Sequence, residues 1–137
     1  MLTVNDLAIQ SRVPAHVVRY YTRIGLIHPQ RQQENGYRLF SPEDANRLRF
    51  IRLAKQLGFT LNEIKEITQH ADMKESPCQE VRKIIQDRIV ENRQKIEQML
   101  KLQNRMESAL QQWQDMPDGN PDGHSVCHLI ESIQEEE

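Results

Sequence analysis

Apolar positions fall into three regimes along the chain. From Leu2 to Ile67 they come in short bursts at helical spacing, broken by turn residues. From Ile85 to Trp113 one stripe persists: Ile85, Ile89, Asn92, Ile96, Met99, Gln103, Met106, Leu110 and Trp113 alternate four and three apart. That is a heptad seam with two polar interruptions. Beyond Trp113 only Met116 is apolar before Val126. The long run opens with Ser76 as cap, Pro77 at the first helical position and Gln79 three after the cap, as in a capping box. It meets no Gly or Pro until Pro117. A helix over 76–113 is predicted, roughly 50 Å long at 1.5 Å per residue. So narrow a stripe on so long a helix has nothing to bury against in a small monomer. It predicts a dimerisation coiled coil, since the chain has too few other long helices to complete a bundle.

The earlier bursts predict smaller elements. Thr3 or Asn5 caps a short helix with Leu7, Ala8 and Val4 inward. Ser11-Arg12-Val13-Pro14 turns the chain into a second helix with Val17, Val18 and Tyr21 inward and His16, Arg19 and Tyr20 elsewhere. Two short helices around a tight turn make a helix-turn-helix. Asn35-Gly36 sets a tight turn between possible strand residues of the stretch 31–40, a β-hairpin or wing. Ser41, Pro42 and Asp44 start another helix whose face reads Ala45, Leu48, Ile51, Leu53, Ala54 and Leu57 before Gly58. Thr60 and Glu63 cap the next, with Ile64 and Ile67 inward, ending near His70. After Trp113, two Pro-Asp-Gly turns precede a short amphipathic helix from His124 to Ile133, with Val126, Leu129, Ile130 and Ile133 on its apolar side. The predicted organisation is mainly α: a winged helix-turn-helix over 1–70, a joint at 71–75, the dimerisation helix at 76–113, and a C-terminal loop, short helix and acidic tail at 114–137.

Charge divides along the same line. Residues 1–70 carry ten Lys/Arg against six Asp/Glu, and residues 71–137 carry eight against fourteen. The basic half suits a polyanion and the acidic half would repel one. No stretch approaches the ~18 apolar residues of a membrane span, and no signal peptide is expected before Asn5-Asp6, so a cytoplasmic location is expected. The two cysteines, Cys78 and Cys127, are then expected as thiols. No HExxH pair, nucleophile elbow, phosphate loop or paired-carboxylate arrangement supports an enzyme.

Arg19-Tyr20-Tyr21-Thr22-Arg23-Ile24-Gly25-Leu26 resembles the recognition-helix exit of the MerR family of transcription regulators. Asn35-Gly36-Tyr37-Arg38-Leu39-Phe40 resembles its wing. Arg47 to Ile51 and Leu57 to Ile64 resemble its second helix pair. The likeness covers residues 1–70 nearly continuously and extends to the dimer helix. It implies a homodimer with an antiparallel coiled coil, a palindromic operator in double-stranded promoter DNA, RNA polymerase as partner at that promoter, and activation by distorting the DNA. It also implies that Arg19 enters the major groove, where its fork matches guanine O6 and N7. His16 touches base or phosphate, Tyr20 and Tyr37 donate to phosphates, and Arg38 on the wing holds the backbone.

Cys78 sits in the first turn of the long helix, where amide donors and the dipole stabilise a thiolate. Cys127 is three after His124 and next to His128; on a helix, His124 and Cys127 would share a face. Thiolate plus imidazole is the ligand set that zinc and its heavier relatives prefer. The two cysteines lie beyond opposite ends of the long helix, so in an antiparallel dimer Cys78 of one subunit would meet Cys127, with His124 or His128, of the other. A cysteine opening the dimer helix resembles the family's divalent-ion sensors, which implies zinc first, then cadmium or lead. The sequence departs from that pattern at Pro117-Asp118-Gly119, where such sensors generally carry another cysteine. The competing reading keeps the DNA-binding module and replaces the metal with a thiol-redox signal or a small organic effector.

Overall fold

The computed structural model describes residues 1–31 and 38–135. The expected Asn35-Gly36 turn and Tyr37 lie outside the described residues. The chain divides into two compact units, Met1–Val81 and Arg82–Glu137.

The first unit begins with α1 (Val4–Ser11) and α2 (Ala15–Arg23). Thr3 caps α1, its hydroxyl accepting from the Asp6 amide at 3.2 Å. The helix ends on Arg12 at φ 57, a left-handed position that Gly or Asn fills more easily. Gly25, at φ 84, closes α2 and lets the Leu26 amide return to the Tyr21 carbonyl at 2.9 Å. Leu26 and Ile27 are thereby driven into the core.

A two-stranded antiparallel ladder follows, β1 (Gln30–Arg31) with β2 (Arg38–Leu39), in the register Gln30 with Leu39 and Arg31 with Arg38. Phe40, fully buried, is tied to the start of the chain by reciprocal amide-carbonyl bonds with Leu2 at 2.7 and 2.8 Å.

Helix α3 (Pro42–Gln56) opens with the expected capping box, Ser41 with Asp44. Asp44 is buried, and its second oxygen accepts from the His28 amide at 3.4 Å, fixing the turn after α2 to the head of α3. Leu48, Ile51 and Ala54 of α3 are buried. Leu53 and Leu57, expected on the same face, are exposed, Leu57 by 67%. Leu53 points away because it lies roughly 200° round the helix from Ile51. Leu57 is the C-cap, after which Gly58 at φ 89 turns the chain. Helix α4 (Leu61–Asp72) carries the Thr60–Glu63 box and buries Ile64 and Ile67. The side chains that meet in this core are Leu7, Val18, Leu26, Ile27, Phe40, Leu48, Ile51 and Ile64.

Helix α5 (Cys78–Trp113) opens in the first unit and forms most of the second. Its 36 residues include none that is buried. Ile96, Met99 and Leu110 of the seam are 58%, 64% and 59% exposed. A loop then leads to α6 (His128–Glu131), far shorter than the helix expected from His124 to Ile133. Side-chain bonds hold the residues before it in a turn. Asp122 Oδ1 accepts from the amides of His124 at 2.6 Å and Ser125 at 2.9 Å. Glu131 accepts from the Ser125 hydroxyl at 2.6 Å and the Val126 amide at 3.0 Å. Among the described residues no helix is long and apolar enough to cross a membrane.

Candidate nucleic-acid interface and metal centre

Helix α2 turns Val18 fully into the core. The opposite face carries His16, Arg19, Tyr20 and Arg23, all exposed. These positions follow the i, i+3, i+4, i+7 spacing of one helical face. The Arg23 guanidinium lies 5.5 Å from the centre of the Tyr20 ring, a cation-π contact that stiffens both side chains. Arg23 was not among the expected contacts, although its place four after Arg19 signals it. Tyr21 packs 6.1 Å from Tyr20 and is half-buried; burial, then the neighbouring Tyr20, raises its phenol above the usual range. On the ladder, Arg38 is half-buried and stands opposite Arg31 in the pairing.

The C-terminal loop brings together part of the expected metal set. Cys127 and His128 line one concavity of about 360 Å³ with Asp118, Gly119 and Ser125. His128 Nε2 lies 2.8 Å from the Pro117 carbonyl oxygen, which can only accept. The proton therefore sits on Nε2 and leaves Nδ1 with a free lone pair, the arrangement that prepares a histidine to ligate a metal. The ring is seated against Gly119, where a Cβ would collide with it. The thiol of Cys127 is free and half-buried.

His124 is placed differently from the expectation. It lies in the Asp122 turn and not on a helix with Cys127, so no shared helical face joins the two. Asp122 spends an oxygen on backbone amides, as a turn residue. Cys78 is exposed at the head of α5, its amide donating to Ser76 Oγ at 3.4 Å. Among the described residues, no three His, Cys, Asp or Glu side chains gather in a way that would hold a metal ion. Glu131 organises the loop and was missed. The Ser125 hydroxyl, then the Val126 amide, hold its carboxyl below the usual carboxylate range, with the Cys127 amide adding to the effect.

The family model for the MerR HTH regulatory proteins matches residues 2–71, and the MerR DNA-binding model matches residues 45–109. The chain is 30% identical to the HTH-type transcriptional regulator ZntR of Escherichia coli K12, over 98% of this chain and 94% of that one. It is 32% identical to the mercuric resistance operon regulatory protein of Bacillus cereus, over 95% of each. Its fold is like that of a transcription regulator from Ralstonia metallidurans solved with lead(II), with a TM-score of 0.76 at 23% identity, covering 96% of this chain and 98% of that one. Helix-turn-helix, strand pair, second helix pair and long helix thus follow one another as in these proteins, and the chain belongs to the MerR family of DNA-binding transcriptional regulators, which are not enzymes.

Proposed function

We propose that this regulator acts as an antiparallel homodimer that binds a palindromic promoter operator and activates transcription on binding a divalent heavy metal at a site shared between subunits. The observation that carries the proposal is the Cys127–His128 pair in one concavity, with His128 Nδ1 left free and no third donor gathered around it among the described residues. Two donors are too few for a four-coordinate ion. Cys78 of the partner subunit supplies the missing thiolate in this reading, with His124 as a further donor. The bare apolar seam of α5 supports the dimer, since burying it is worth roughly 25 cal/mol per Å².

The donor set is mixed thiolate and imidazole, which suits zinc first and then cadmium or lead. A bound ion would supply a cationic link between the C-terminal loop of one subunit and the head of α5 in the other. In this reading residues 1–70 hold DNA, 71–75 form the joint, 76–113 dimerise and 114–137 sense the metal, in the cytoplasm. Arg19 reads a base and His16 a base or phosphate, while Tyr20, Tyr37 and Arg38 hold phosphates. RNA polymerase is the partner at the distorted promoter. The relatives named for mercuric resistance and solved with lead(II) support a metal effector.

A mixed dimer tests the shared site. Cys78→Ser and Cys127→Ser homodimers are each expected to lose tightly held zinc, measured by elemental analysis of untagged protein. A heterodimer of one Cys78→Ser chain with one Cys127→Ser chain regains one intact pair, and one ion per dimer, only if the site is built from both subunits. A heterodimer with no ion, beside a parent dimer holding two, would overturn the shared site.

A further inference from the structure

The first unit holds a second basic feature, built without residues of α2. Where the turn after α1 meets α3, a concavity of about 230 Å³ is lined by Ser11, Arg12, Asn46, Arg49 and Arg52. Its lining includes three guanidinium groups and no carboxylate. Among the described residues none of the three has an ion-pair partner. By contrast Arg47, on the same helix, is neutralised by Asp72 at 2.7 Å.

Three further features suit an anion as its ligand. Arg49 and Arg52 are three apart on α3, neighbours on the helix surface, and like charges there repel unless an anion lies between them. Arg52 Nε is buried and has no hydrogen-bond acceptor. An orphaned buried donor is unfavourable, and it asks for an acceptor. Arg12 holds φ 57, where Gly would be at ease, and its side chain lines the same concavity. The backbone position alone gives no reason for arginine.

We propose that Arg12, Arg49 and Arg52, with Asn46 and Ser11, form a phosphate cradle that grips a DNA backbone phosphodiester. Guanidinium forks match the oxygens of a phosphate in pairs, and a side-chain amide and a hydroxyl add donors. Arg12 belongs to the turn leading into α2, so a phosphate held there fixes how α2 enters the groove. Such contacts set register and carry no base preference. The inference rests on the DNA-binding reading and adds an anchor to it.

The test uses the full-length protein and a mixed-sequence B-form duplex, because backbone contacts show in non-specific binding. Binding is measured by fluorescence anisotropy across a salt series for the parent, Arg12→Gly, Arg49→Gln and the double variant. Loss of one phosphate partner lowers the salt slope by about one and weakens binding roughly tenfold at low salt. Arg12→Gly is expected to melt at or above the parent temperature, since Gly accepts the left-handed backbone, while it still binds DNA more weakly. That split separates a charge contact from a structural role. An unchanged slope in the double variant overturns the proposal. So does a slope that holds while inorganic phosphate no longer raises the melting temperature, which would mark a free-anion site instead. Failure of the parent itself to bind the duplex would count against the DNA-binding reading, a distinct result.

Discussion

The unit Met1–Val81 folds its apolar side chains inward, whereas the helix that builds Arg82–Glu137 leaves them bare. In the first, eight large residues, from four helices, the turn after α2 and Phe40 beyond β2, meet at less than 2% exposure. In the second, the seam from Ile89 to Leu110 faces solvent along its whole length. The first unit draws stability from contacts within its own chain. The apolar stripe of the second can be covered only by another surface.

Three expected outcomes break or sharpen the comparison. The largest concerns the core. Ile51→Ala is expected to cost about 2–5 kcal/mol in chemical unfolding, because it empties a fully enclosed site. The cost should not vary with protein concentration. Ile96→Ala in α5, by contrast, is expected to shift the unfolding midpoint by an amount that grows on dilution and to weaken association in sedimentation equilibrium. Concentration-independent unfolding of the Ile96 variant would erase the distinction.

The next effect is at the loop. Gly119→Ala puts a methyl group where the His128 ring sits. It is expected to lower zinc affinity about 10- to 100-fold, as loss of ligand orientation does, measured by competition with a chelator. Unfolding of the first unit should not change.

The smallest effect is near the end of α4, where His70 Nδ1 meets Glu75 at 3.0 Å and Nε2 meets Glu80 at 3.1 Å. The Glu75 hydrogen bond, with the Glu80, Glu75 and Glu66 charges, outweighs desolvation and raises the His70 pKa. A raised folded value means the protonated form is favoured by folding. Its stabilisation is complete below about pH 6.5, the free imidazole value, and is lost as pH rises through the folded value. The melting temperature of the parent should therefore fall slightly relative to His70→Gln as pH is raised from 6 to 8. Parallel pH curves would show that the two carboxylate contacts contribute nothing.

The first unit was readable residue by residue where capping chemistry is local. Thr3, Ser41 with Asp44, and Thr60 with Glu63 cap the helices expected of them. Each needs only side chains within three positions of one another. The inward face of α3 was half readable, since periodicity picked Leu48, Ile51 and Ala54 but also Leu53 and Leu57. The C-terminal segment was misread because apolar spacing in 126–133 suggested a helix. Val126 is 83% exposed, so among the described residues it meets no apolar surface. Asp122 and Glu131 instead hold the amides of His124, Ser125 and Val126 in a turn.

Sequence alone determined the order of helices and strands, the heptad seam of α5, and the membership of Cys127 and His128 in one segment, because these depend on spacing along the chain. Only the tertiary structure decided that His128 turns its Nε2 to Pro117 and keeps Nδ1 free, and that Arg12 shares a concavity with Arg49 and Arg52. Such facts are matters of direction. A side chain's direction follows from what its neighbours in space accept, and those neighbours are eleven residues away for His128 and more than thirty for Arg12.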